Sequence, residues 1–116
     1  MPFELRWTNR GREDFDAIKV RAQKAFQSRK SAGKTKASKQ EGLFGQVTKC
    51  LGNLAENPKH PSLNTHEHGS LPHPYADGEK VFEAYVQNKT PGAYRVYWCY
   101  GPAKGEITIL AITPHP

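Results

Sequence analysis

Cysteine is scarce in this chain: Cys50 and Cys99 are the only two, far apart and in no CxxC pair. That excludes a disulfide-stapled scaffold and points to a reducing compartment with two free, buried thiols. No apolar run approaches the roughly 20 residues a membrane helix needs. The opening Met1-Pro2-Phe3-Glu4-Leu5-Arg6-Trp7 lacks the cationic start and apolar stretch of a signal peptide. These absences read as a cytoplasmic protein without a membrane partner. Acidic residues are also few, 11 against 17 Lys and Arg, for a formal net charge of +6. Such a surplus attracts polyanions, of which nucleic acid is the commonest. With 116 residues and 36% hydrophobic content, the chain fits one domain, residues 1–116, with one core. It is too small to enclose a large cofactor as well, so none is expected.

What is present falls into six elements. Phe3 to Trp7 alternates and is aromatic, which suits a strand; Thr8, Asn9, Arg10 and Gly11 break it. From Glu13 the period changes, and Phe15, Ile18, Ala22, Ala25 and Phe26 form a helical stripe. Arg29 to Gln40 holds five basic residues, no acid and nothing large and apolar. Such a stretch cannot offset its own ordering entropy, so a flexible basic loop is expected at about 29–41. Helix resumes near Glu41 through Leu43, Phe44, Val47, Leu51 and Leu54, and Asn57-Pro58 ends it. His60 to Gly78, rich in Pro, His, Asn and Gly, reads as a connecting loop that adds only Leu63 and Leu71 to the core. Three strands follow, Val81 to Gln87, Tyr94 to Tyr100 and Glu106 to Thr113, separated by turn residues that suit an antiparallel meander. The order strand-helix-helix-strand-strand-strand is an α+β layer, with helices on one face of a sheet. The apolar run Ile107 to Ile112 suits a central strand covered on both sides.

Strand alternation sorts the side chains. Phe82, Ala84 and Val86 share a face with one another, as do Tyr94, Val96, Trp98 and Tyr100; these apolar sets should meet the helices. Glu83, Tyr85 and Gln87, with Arg95 and Tyr97, should then share the bare face. A carboxylate, two phenols and a guanidinium on one surface are parts that phosphodiester cleavage by a 2′-hydroxyl requires: proton transfer at two oxygens and a cation for the charged phosphorane. Aromatic rings beside cations also stack bases. An exposed sheet face with ordinary Glu–Arg cross-strand pairing would give the same pattern.

Other motifs carry less. His66-x-His68 could chelate, but structural zinc wants four ligands, and Cys50 lies on the core face of a helix, so no metal is expected. Gly33-Lys34-Thr35 ends like a phosphate-binding loop, yet position 28 is Ser28 and no strand precedes it.

The C-terminal half resembles the RelE/ParE superfamily of bacterial toxin–antitoxin toxins. The resemblance rests on Leu51-Gly52-Asn53-Leu54-Ala55-Glu56-Asn57-Pro58, on His60-Pro61-Ser62-Leu63 with His66, and on Gly78 ahead of a strand. Tyr94-Arg95-Val96-Tyr97-Trp98 is similar to the family's arginine-bearing strand, and Ile107 to His115 to its last strand with a terminal histidine. The resemblance implies a small curved, mainly antiparallel sheet with two helices behind it, and a type II toxin silenced by a cognate antitoxin. It also implies a metal-independent endoribonuclease that cuts ribosome-bound mRNA and so inhibits translation. Arg95 would face the phosphate, His115 would be general acid or base, and Glu83 the other proton-transfer group. Tyr85 and Tyr97 would orient or stack RNA, with Lys30, Lys34, Lys36 and Lys39 adding electrostatic affinity. Arg95 is the only basic residue between Lys89 and Lys104, fewer than cleaving members carry on these strands. The alternative implied is a gyrase-targeting or non-catalytic toxin, or a degenerate RNA- or antitoxin-binding protein.

Overall fold

A computed structural model describes residues 2–88 and 90–115. Among them the elements are β1 (Glu4–Trp7), α1 (Asn9–Ser31), α2 (Lys39–Glu56), a 3-10 turn (Pro61–Leu63), β2 (His66–Glu67), β3 (Phe82–Tyr85), β4 (Tyr94–Tyr100) and β5 (Glu106–Pro114). The strands form one sheet in the order β1-β5-β4-β3-β2. β1 runs parallel to β5, and the other pairings are antiparallel. The architecture is the α+β layer expected, with β5 an interior strand.

The helices cover one face. Ile18 of α1 and Val47, Cys50, Leu51 and Leu54 of α2 pack with Ala84, Val96, Trp98, Ile107, Ile109 and Ile112 of the sheet. The parity reading of β3 and β4 therefore holds on this side. A bulge in β5 next to the Tyr97/Trp98 step shifts the register, so Tyr97 meets Ala111 and Trp98 meets Ile109. Leu110 is the extra residue, and it joins Ala111 on the opposite face. Bulges kink a strand and re-aim side chains in this way.

Four features depart from the sequence reading. First, α1 begins at Asn9, because Thr8 is an N-cap whose hydroxyl accepts the Gly11 N–H. Gly11 is required there, since a Cβ would fall onto the Ile109 carbonyl oxygen where α1 crosses β5. Second, α1 runs on to Ser31 and α2 starts at Lys39, so the connection between the helices is residues 32–38, shorter than the 29–41 expected. Arg29 grips both carboxylate oxygens of Glu41 at 2.9 and 2.8 Å, and Ser38 with Glu41 forms a capping box. These contacts join the two helix ends that border the connection. Third, the connecting segment contributes β2. Fourth, β3 ends at Tyr85, and Gln87 turns toward α2, where its amide bonds Gln46, away from Glu83.

The face opposite the helices is not bare. Residues 68–78 cross it. Leu71 packs on a second apolar cluster of Val81, Tyr97, Cys99, Leu110 and Ala111. The Tyr75 hydroxyl bonds Thr108 Oγ1 at 2.9 Å, and Thr108 Oγ1 donates to the Gly101 carbonyl.

Candidate active site

β3 and β4 pair with Glu83 opposite Tyr97 and Tyr85 opposite Arg95, so these four side chains emerge on the face away from the helices. β2 adds His66 directly opposite Glu83. The result is a buried carboxylate ringed by one guanidinium and three imidazoles. Glu83 is 4% exposed. Its Oε1 lies 2.7 Å from His66 Nε2 and 3.6 Å from His68 Nδ1. Its Oε2 lies 3.7 Å from Arg95 Nε and 3.9 Å from His115 Nε2.

The neighbours fix these groups in turn. His66 Nδ1 is 2.9 Å from the carbonyl oxygen of Asn64, a residue in the left-handed region at φ 46°. Carbonyls only accept, so Nδ1 carries a proton and Nε2 is the edge turned to the carboxylate. Arg95 Nη1 donates to the carbonyls of Gln87 at 2.6 Å and Tyr94 at 3.1 Å. The guanidinium carbon sits 3.6 Å from the centre of the Tyr85 ring, a cation–π contact strengthened by burial. Glu83 Oε2 and Arg95 Nε are both buried and make no hydrogen bond. Two opposite charges facing each other at 3.7 Å are weakly screened in such a place, and neither can be removed without stranding the other.

Sequence reasoning placed Glu83 and Arg95 together, and they are together. Their burial was not foreseen. Tyr97, expected as a stacking surface, is 4% exposed and lies under the His68 ring at 4.6 Å. Burial, then the Glu83 carboxylate, raises its phenol above the ordinary value, so it stays a neutral hydroxyl at physiological pH. Tyr85 is half-buried between Arg95 and the edge-on ring of His66. The groups that reach solvent are His66 and His115, whose side chains are 49% and 46% exposed. His66 and His68 were read as part of a polar loop. The signal that could have found them is the alternation His66-Glu67-His68, which puts both rings on one side of an extended segment. Lys30, Lys34, Lys36 and Lys39 are exposed but belong to the helical hairpin behind the sheet, not to the Glu83 cluster. Lys30 and Arg29 flank the Phe26 ring there. Among the described residues, no group of three or more His, Cys, Asp or Glu is arranged to hold a metal ion.

No family model matches the chain, and no curated protein does. Solved structures do. A YoeB/ParE toxin from Agrobacterium tumefaciens superposes with a TM-score of 0.61 at 9% identity, over 97% of this chain and 99% of that one. The fold is that of the RelE/ParE toxins. An archaeal RelE–RelB complex from Pyrococcus horikoshii OT3 gives 0.56 at 12% identity, over 98% and 96% of the two chains. The YoeB dimer from Staphylococcus aureus gives 0.56 at 8% identity, over the full length of both. Identity this low means that the RelE/ParE fold is kept by the pattern of buried positions rather than by particular residues. In this chain the fold's sheet presents Glu83, Arg95 and the histidines on the face away from its helices.

Proposed function

We propose that this protein is the toxin of a type II toxin–antitoxin module and a metal-independent endoribonuclease that cuts ribosome-bound mRNA. The observation that carries the reading is the pair of half-exposed imidazoles, His66 and His115, set against the two oxygens of one buried carboxylate beside a guanidinium. Cleavage needs a base to take the 2′-hydroxyl proton as the 2′-oxygen bonds phosphorus. It needs an acid to protonate the 5′-oxygen as its bond to phosphorus breaks. Two imidazoles, one in each protonation state, meet that need. The products are a 2′,3′-cyclic phosphate and a 5′-hydroxyl. Glu83, too buried to reach RNA, orients the imidazoles. Arg95 supplies fixed positive charge for the phosphorane, and Tyr85 holds it in place. The exposed Lys30, Lys34, Lys36 and Lys39 add long-range attraction for RNA.

A cognate antitoxin is the partner this reading implies; the Pyrococcus horikoshii neighbour was itself solved as a RelE–RelB complex. Added to a translation reaction, the purified protein should cut mRNA. Arg95→Ala, His66→Ala and His115→Ala should each lower cutting at least a hundredfold. Undiminished cutting by Arg95→Ala would remove the mechanism.

One observation favours a second reading. The sole basic side chain of the central strands, Arg95, is 8% exposed and bonded to backbone carbonyls. A toxin that binds gyrase without cutting RNA would need no more. A gyrase cleavage assay separates the two.

A further inference from the structure

Beside the candidate site, on the other side of the β2 edge, lies a groove of about 630 Å³ that the chemistry above does not use. Phe82, Trp98 and Tyr100 line it, and Lys59, His60 and His66 stand around it. Its aromatic wall is continuous. Phe82 stacks on Trp98 with ring centres 4.8 Å apart and planes at 26°. Tyr100 meets Trp98 edge-on at 5.0 Å and Phe82 at 5.9 Å. Tyr100 is nonetheless 41% exposed, an unusual position for a ring with three aromatic neighbours, the third being Phe3 at 6.0 Å. The Trp98 residue is 1% exposed, and its indole N–H has no hydrogen-bond partner.

We propose that this groove takes one unstacked nucleobase of the RNA whose backbone lies at the Glu83 cluster, so that it holds the strand in place beside the reacting phosphate. The inference rests on the RNA-cleaving reading. Two observations favour a base over an apolar peptide. The exposed Tyr100 ring, backed by Trp98 and the part-buried Phe82, offers a flat face on which a base can stack. The rim carries Lys59 and two histidines, suited to the phosphate attached to the base, and its Glu67 is already paired to Lys80 at 2.8 Å. His66 belongs to both places, touching Glu83 with one ring nitrogen while lining the groove. A strand whose phosphate is at His66 therefore has its neighbouring base within reach.

The test uses the full chain and a dinucleotide, ApG with a 2′-O-methyl block that prevents cleavage, beside an abasic counterpart that keeps the phosphate. In a ¹H–¹⁵N spectrum two indole signals are expected, and Trp7→Phe assigns that of Trp98. The dinucleotide should move the Trp98 signal and the abasic compound should not. Tyr100→Ala should weaken binding about tenfold, and Tyr100→Phe, which keeps the ring, should bind as the parent does. Equal binding of both compounds, or an unmoved indole signal, overturns the proposal. If the parent binds with this signature but cuts no mRNA, the groove stands and the cleavage reading fails. If mRNA is cut equally well by Tyr100→Ala, the groove fails and the cleavage reading stands.

Discussion

His66 reaches across the β2–β3 pairing to put Nε2 2.7 Å from Glu83 Oε1, while its other nitrogen faces the Asn64 carbonyl. The bond to Glu83 is complete when one proton lies between Nε2 and Oε1. A long-range ¹H–¹⁵N spectrum should find His66 Nδ1 protonated at neutral pH, and a bare Nδ1 would contradict the geometry.

Removing the carboxylate has a structural cost distinct from any effect on activity. Glu83→Ala leaves Arg95 buried without its counter-charge, and should lower unfolding free energy by about 3 kcal/mol in urea titrations. Glu83→Gln keeps the hydrogen bond to His66 but not the charge, and should fall between the two.

At the far end of the molecule, Arg29 and the Ser38 N–H hold the Glu41 carboxyl at about 2, below its ordinary 4.5. The folded value is the lower one, so the unfolded chain takes up the proton first as pH falls. The stabilisation is fully present above about pH 4.5 and is lost progressively toward pH 2. Comparing urea midpoints at pH 5 and pH 2.5 should show a smaller acid loss for Glu41→Gln than for the parent.

Gly11→Ala should be among the most damaging single-methyl changes. Its new carbon has no room beside the Ile109 carbonyl, so α1 must move off β5. We expect a loss of about 2 kcal/mol, read as a lower melting temperature.

Burial pushes the Cys50 thiol up to about 12 and the Cys99 thiol up to about 11. Neither should react with a disulfide reagent at pH 8 in the native protein, and both should react in guanidinium chloride.

The parts legible in the sequence are those governed by local period. Alternation in Phe82-Glu83-Ala84 and in Tyr94 to Cys99 was enough to separate the helix-facing side chains from the Glu83 and Arg95 set. The illegible parts depend on partners distant in sequence. A strand of two residues is too short to show alternation, and β2 exists because β3 pairs with it. The segment over the outer face is anchored by Tyr75 on Thr108, 33 positions away. Where the helices end on either side of the basic stretch rests in part on Arg29 meeting Glu41, 12 positions on, beyond the spacing at which helix side chains are neighbours. The same long reach explains why Tyr97 proved buried and why His66 was not placed against Glu83.

The placing of β5 between β1 and β4 also has a temporal side. During synthesis β1 and α1 emerge early, yet the strand that β1 pairs with, and on which α1 rests through Gly11, is made after every other element described. The nascent chain therefore cannot assemble its working face piecemeal. Only once β5 is free to pair with both β1 and β4 can the five-stranded sheet close.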